Sequence, residues 1–201
     1  MSPIEVVAAA FGLLSVVFTV RRSLLCWPTG LAMVALYAFI FYEAKLYSDA
    51  GLQIVYVVLQ VYGWWHWARV GPGEELPVGS LGRAGRLGWS AVALGAAGTL
   101  GFAMSTWTDA SFPYLDAFIT TTSLVAQWLM ARKVWESWVG WIAVDLVAVP
   151  VYYARDLFPT AALYSLFLGL ALSGLVTWRR NRPAASSSGS SSPRTAATST
   201  S

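Results

Sequence analysis

The sequence predicts an all-α integral membrane protein of seven transmembrane helices, arranged as a three-plus-one-plus-three parallel repeat. Three observations lead there. Of the 201 residues 57% are apolar and only 11% charged, against about a quarter charged in an ordinary soluble domain. Seven stretches are long and apolar enough to cross a hydrocarbon core, which takes roughly 20 residues. The chain also aligns with itself, without a gap, at an offset of 111 residues, the separation of Trp27 and Trp138.

The seven stretches run over 4–20, 24–42, 49–70, 87–104, 113–130, 134–153 and 159–178. The first lacks the basic start and small-residue cleavage site of a secretory signal and ends in Arg21-Arg22, so it reads as a retained helix. Lys and Arg gather in short cytoplasmic loops. With the N-terminus outside, Arg21, Arg22, Arg69, Arg83, Arg86, Arg132, Lys133, Arg179, Arg180, Arg182 and Arg194 fall inside, and Lys45 and Arg155 outside. The odd helix count then puts the C-terminus in the cytoplasm. The net charge of +3 is spread between apolar segments, which argues against nucleic-acid binding. The single cysteine, Cys26, excludes an intramolecular disulfide framework and a cysteine zinc site, and the single histidine, His66, excludes the His-rich metal constellations.

At the 111-residue offset the second and third segments fall on the sixth and seventh. Trp27 meets Trp138, Tyr42 meets Tyr153, Ala50 meets Ala161, Gly63 meets Gly174 and Trp67 meets Trp178, while Arg21-Arg22 meets Arg132-Lys133. The expected organisation is a first three-helix repeat over 1–70, a linker with a connecting helix over 71–112, a second repeat over 113–180 and a tail over 181–201. The connecting helix is rich in Gly and Ala, which permits close packing in lipid. From Pro183 onward the tail is Ser, Thr, Ala and Pro with little apolar mass, a composition expected to be disordered and dispensable.

Polar side chains in hydrocarbon cost several kcal/mol unless they face protein or a wet cavity. On the fifth segment Asp116, Thr120, Ser123 and Gln127 stack on one side at spacings of four, three and four. On the third, Gln53, Tyr56, Gln60, Gly63 and Trp67 do the same, with Trp64 and Trp65 extending the aromatic surface. On the sixth, Ser137 and Trp138 precede Trp141 and Asp145. Gln60, Ser123 and Asp145 come at similar depths, so the three faces are expected to converge on one pocket of amides, a carboxylate and indoles. Such a pocket suits a flat ring bearing hydroxyls, a cationic ring above all, a description that nicotinamide riboside and thiamine both meet. Any one of these Gln or Ser residues serves equally well as interhelical glue, and Trp27, Trp67 and Trp178, near segment ends, read better as interface anchors. Asp116 and Asp145 fall at different depths, which argues against a membrane enzyme with paired carboxylates, and no signalling motif in the tail supports a receptor.

The run Trp27-Pro28-x-Gly30, Tyr42-x-Ala44-Lys45-Leu46-Tyr47-x-Asp49-Ala50, Gln53 and Tyr62-Gly63-Trp64-Trp65-x-Trp67 resembles the PnuC family of vitamin transporters. So do Tyr114-Leu115-Asp116-Ala117, Ala131-Arg132-Lys133, Trp138-x-x-Trp141-x-x-x-Asp145 and Leu157-x-x-Thr160-Ala161-x-Leu163-Tyr164. The resemblance spans about 24–178. It implies a SWEET-like 3+1+3 fold in the plasma membrane, commonly a homotrimer with one pathway per subunit, and facilitated diffusion of a vitamin, typically nicotinamide riboside. It implies no resident cofactor. A cytoplasmic kinase traps the cargo in such systems, and the sequence has no GxxxxGK(S/T) phosphate loop, so that kinase would be a separate protein. Ser137 stands where the family often has Asn and His66 where Gln is frequent, which keeps thiamine, riboflavin and other nucleoside-like cargo open.

Overall fold

Hydrocarbon offers backbone amides no water to bond, so a spanning chain must close its hydrogen bonds within helices. The computed structural model describes residues 3–45, 47–70 and 75–181. They form α1 (Pro3–Val20), α2 (Cys26–Glu43), α3 (Tyr47–Ala68), α4 (Arg83–Trp107), α5 (Pro113–Ala131), α6 (Ser137–Ala154) and α7 (Phe158–Arg180). The expectations for the tail from Pro183 onward lie outside the described residues. Helices α1, α2, α4, α6 and α7 are long and apolar enough to cross a membrane by length and composition. Helices α3 and α5 fall short of that hydropathy because they carry most of the polar side chains singled out above, and these two helices pack on each other.

Proline opens α5 at Pro113 and α7 at Pro159, where a missing N–H costs the helix nothing. Helix α6 begins three residues later than its apolar stretch, because 133–136 form a turn. In that turn Lys133 N–H donates to Met130 O at 2.9 Å and Val134 N–H to Leu129 O at 3.0 Å, a Schellman closure of α5. The end of α1 repeats it at the same offset, Arg22 N–H to Thr19 O and Ser23 N–H to Phe18 O, both at 2.9 Å. Among the described residues four non-glycines have left-handed φ, namely Arg22, Lys45, Lys133 and Asp156. They form two pairs, each 111 apart, so the duplication extends to the backbone.

Six helices close a ring. In order around it, α1 packs on α2, α2 on α3, α3 on α5, α5 on α6, α6 on α7, and α7 on α1, while α4 packs against α5 alone. Exchanging α1 with α5, α2 with α6 and α3 with α7 maps the six contacts of the ring onto themselves. Within each triplet the middle helix lies between the other two. Gly101 gives α4 its close approach to Tyr114, and Thr121 Oγ1 donates across to Ala93 O at 3.2 Å.

Most of the arginines gather at one end of the ring, the basic end, and four tryptophans plug it. Trp27 meets Trp67 edge-on at 5.2 Å between ring centroids, Trp67 meets Trp178 at 5.7 Å, and Trp178 meets Trp138 edge-on at 5.6 Å. All four are buried. Trp67 Nε1 donates to Ala131 O and Trp178 Nε1 to Thr19 O, each at 3.1 Å, tying α3 to α5 and α7 to α1. Trp27, Trp67 and Trp178, expected as interface anchors, are core residues instead, because the ring turns their helix ends toward one another. The indoles of Trp27 and Trp138 fill the places where side chains on Gly63 and Gly174 would stand.

Residues 75–82 lie across this end. Glu75 pairs with Arg22 at 3.2 Å, Val78 is buried among the tryptophans, and Gly79 forms a parallel bridge to Val134. Glu136 Oε1 accepts from Leu81 N–H and Arg86 Nε, both at 3.0 Å. Lys133 is buried here with its ammonium 4.4 Å from the Trp67 ring centroid. Burial, outweighing the nearby Glu75 carboxylate, pushes Lys133 down from its ordinary 10.5 to about 8.

Two outcomes are expected. Gly63→Ala or Gly174→Ala should cost about 1–3 kcal/mol by overpacking, read as a lower thermal midpoint in detergent, whereas Gly51→Ala, with open space around it, should not. Between pH 8 and about 10.4 the unfolded chain holds a proton on residue 133 that the folded chain has released. Stability contributed by this group is therefore lost as pH falls to 8 and regained as pH rises toward 10. The thermal midpoint of the parent protein should gain on that of Lys133→Met across that window, and parallel curves would refute the assignment.

Candidate functional site

Three neighbouring helices of the ring bury polar side chains at mid-length. Gln60 of α3 is 7% exposed, Ser123 and Gln127 of α5 are 6% and 8% exposed, and Asp145 of α6 is 2% exposed. The i, i+4 spacing of Ser123 and Gln127 puts them on one face of α5. Asp145 has neither a cation nor a hydrogen-bond donor against it among the described residues. A lone buried carboxylate is costly in a membrane protein and marks a functional place by default.

Tyrosines link these groups. Tyr56, one turn before Gln60, approaches Ser123 across the α3/α5 seam, and the Ser123 hydroxyl donates to Ile119 O at 2.6 Å. Tyr164 of α7 packs on Tyr152 of α6, their ring centroids 5.0 Å apart, and lies within electrostatic range of Tyr56 and Asp145. Toward the basic end Tyr62 stacks on Trp128 at 5.1 Å, again between α3 and α5. His66 stacks in turn on Tyr62 at 5.8 Å.

The repeat makes the chemistry of this wall visible by contrast. At the 111-residue offset Ser123 corresponds to Gly12, Gln127 to Val16, Asp145 to Val34, Gln60 to Ala171 and Tyr56 to Phe167. Gly12, Val34 and Ala171 are buried as their partners are. The approach of Tyr56 to Ser123 therefore has, at the α1/α7 seam, an apolar counterpart in which a Cβ on Gly12 would stand 3.7 Å from Phe167 Cζ. Helices α3, α5 and α6 supply a hydrogen-bonding wall and α7, α1 and α2 a largely apolar one. A ring with two such walls can hold a flat, amphipathic molecule by its polar edge and its apolar face.

The other expected site residues are placed as follows. Trp141 is half-buried and packs against the tryptophan cluster together with Ile142. Trp138 belongs to that cluster. Ser137 is fully buried at the start of α6, its hydroxyl 3.6 Å from Met130 Sδ, and lies about 12 Å along the helix from Asp145 at 1.5 Å per residue. Trp64 and Trp65 are exposed on the outside of α3, and the Arg69 guanidinium sits 4.0 Å from the Trp65 ring centroid, as suits an interfacial anchor. Asp116 is held at 2.6 Å by Arg155, at the end opposite the basic one. Thr120 and Gln53 are half-buried, one turn from Ser123 and Tyr56 respectively. Tyr152 and Tyr164 were not among the residues singled out for the pocket. Tyr152 is seven residues after Asp145, on the same helix face, which is the signal that points to it.

The family model described as nicotinamide mononucleotide transporter matches residues 2–180 of this chain. The riboflavin/roseoflavin transporter RibM of Streptomyces davaonensis is 29% identical over 181 residues, covering 87% of this chain and 83% of that protein. The nicotinamide riboside transporter PnuC of Escherichia coli is 25% identical over 204 residues, covering 89% and 85%, and that of Neisseria mucosa is 28% identical over 190 residues, covering 87% and 71%. The crystal structure of the vitamin B3 transporter PnuC superposes with a TM-score of 0.72 at 26% identity, over 88% of this chain and 80% of that one. The chain belongs to the nicotinamide mononucleotide transporter family and is a multi-pass membrane transporter, not an enzyme.

Proposed function

We propose, with membership of the nicotinamide mononucleotide transporter family as the premise, that this chain carries nicotinamide riboside by facilitated diffusion. The observation that carries this reading is the pairing of a buried hydrogen-bonding wall, Gln60, Ser123, Gln127 and Asp145, with an apolar wall inside one six-helix ring. The carboxylate and indoles favour a flat cationic ring, and the wall's amides and hydroxyls favour a sugar. Trp141 forms the aromatic floor of the site, between the polar wall and the tryptophan plug.

The remaining parts of the reading follow the charges and the repeat. The basic end faces the cytoplasm, with the N-terminus outside. Residues 1–70 and 113–180 rock against each other about the seams α3/α5 and α1/α7, and 71–112 connect them. The functional unit is a homotrimer in the plasma membrane, and a separate cytoplasmic kinase makes uptake net by trapping the cargo. A second cargo, riboflavin, is favoured by the similarity to RibM and by the absence of Asn at Ser137.

Calorimetric titration of the purified protein with nicotinamide riboside, thiamine, riboflavin and nicotinamide in one detergent tests the cargo. Selective binding of nicotinamide riboside is expected, and preference for riboflavin would replace it. Trp141→Ala should weaken binding at least tenfold while the thermal midpoint stays within a few degrees; native affinity in that variant would remove Trp141 from the site. Asp145→Asn should weaken a cationic ligand and spare a neutral one.

A further inference from the structure

Two kinds of glycine face a neighbouring helix in this ring, and the repeat tells them apart. Gly63 and Gly174 are the same residue in both repeats, and each makes room for the same neighbour, Trp27 or Trp138. Gly30 is different. Its place on α2 is filled by the side-chain amide of Gln60 from α3; a Cβ there would stand 2.9 Å from the Gln60 carboxamide carbon and 3.0 Å from its Oε1. At the 111-residue offset Gly30 corresponds to Trp141 and Gln60 to Ala171. The sizes are exchanged: small on α2 and long on α3, large on α6 and small on α7. The scaffold thus accommodates the largest side chain at the position Gly30 occupies, provided its neighbour is small, so helix packing alone does not demand glycine there. What demands it is the Gln60 amide.

We infer that Gly30 is a specificity-determining position, which seats the Gln60 carboxamide flat against α2 so that its donor and acceptor edge is presented to the substrate. The inference rests on the proposed site. A glutamine side chain has three rotatable bonds, and fixing it costs entropy; a flush seat on a glycine backbone removes that freedom before the ligand arrives. The exchange also gives the two repeats unlike contributions at equivalent places, a hydrogen-bonding amide from the first and an indole from the second. A duplicated ring could otherwise present one surface twice; this one presents a polar contact and a stacking contact to a ligand that has both.

The test is a double-mutant cycle on the full chain in detergent, with Gly30→Ala, Gln60→Ala and the double variant, titrated with nicotinamide riboside and with riboflavin. Each single variant should bind the preferred ligand roughly tenfold more weakly, the scale of one lost hydrogen bond, and the double variant should bind no more weakly than Gln60→Ala. Thermal unfolding without ligand gives a second readout, because Gly30→Ala should lower the midpoint and adding Gln60→Ala should restore it. A Gly30→Ala penalty of equal size with and without Gln60, or a midpoint that the double variant fails to restore, would make Gly30 an ordinary packing residue. Unchanged affinity in Gln60→Ala, or binding of neither ligand by the parent protein, would overturn the proposed site and this inference with it, while the midpoints would still report whether Gly30 seats the amide.

Discussion

Amide and carboxylate side chains cannot be left against lipid tails, because nothing there replaces the water they give up. Helices α3, α5 and α6 each carry such a group at mid-length, and α3 and α5 carry so many that they fall short of a spanning hydropathy. The ring answers that constraint. It sets α3 against α5, so that each covers the other's polar face, and it uses the more apolar α1, α2, α6 and α7 to complete the enclosure. Helix α4, with no interior position to fill, attaches to α5 alone.

Duplication is strict at the helix ends and relaxed at mid-length. The left-handed residues, the Schellman closures and the Gly63 and Gly174 seats recur in both repeats, and the indole N–H bonds to α5 and α1 recur with their acceptors one position apart. These features set where helices turn and how they approach, and a shift in any one would displace a whole helix. Between them, Gln60 corresponds to Ala171, Asp145 to Val34 and Ser123 to Gly12 at the repeat offset. Side chains lining an internal space can diverge without moving the backbone, so two copies of one triplet came to hold different chemistry.

The two seams inherit this difference. At the basic end both are held by a tryptophan bonded to a carbonyl on the facing helix. At mid-length the α3/α5 seam sets Tyr56 against Ser123 and adds the Tyr62–Trp128 stack, whereas the α1/α7 seam has Phe167 against Gly12. Polar groups interact more strongly in a low-dielectric interior than in water, so the two seams differ in chemistry.

Much of this was legible in the sequence. Length and hydropathy determined seven helices, and the recurrence of Trp, Tyr and Gly at one offset determined that the halves are related, because a bilayer permits few alternatives to a helix of about 20 residues. Spacing alone put Ser123 with Gln127 and brought out Asp145 and Gln60, since polar residues in hydrocarbon must turn inward. Tertiary structure decided the rest. Helical periodicity gives the face of a residue but not its neighbour, so Trp64 and Trp65, one and two residues from the buried Gly63, proved exposed, and Trp27, Trp67 and Trp178 proved buried. Asp116 found Arg155 from a segment 39 positions away, and Ser137 found Met130, pairings that depend on how loops close. Only the ring order, with α3 on α5 and α7 on α1, sorted the interior into a polar and an apolar wall, because contact between helices distant in the chain is set by packing and leaves no mark in the spacing of either one.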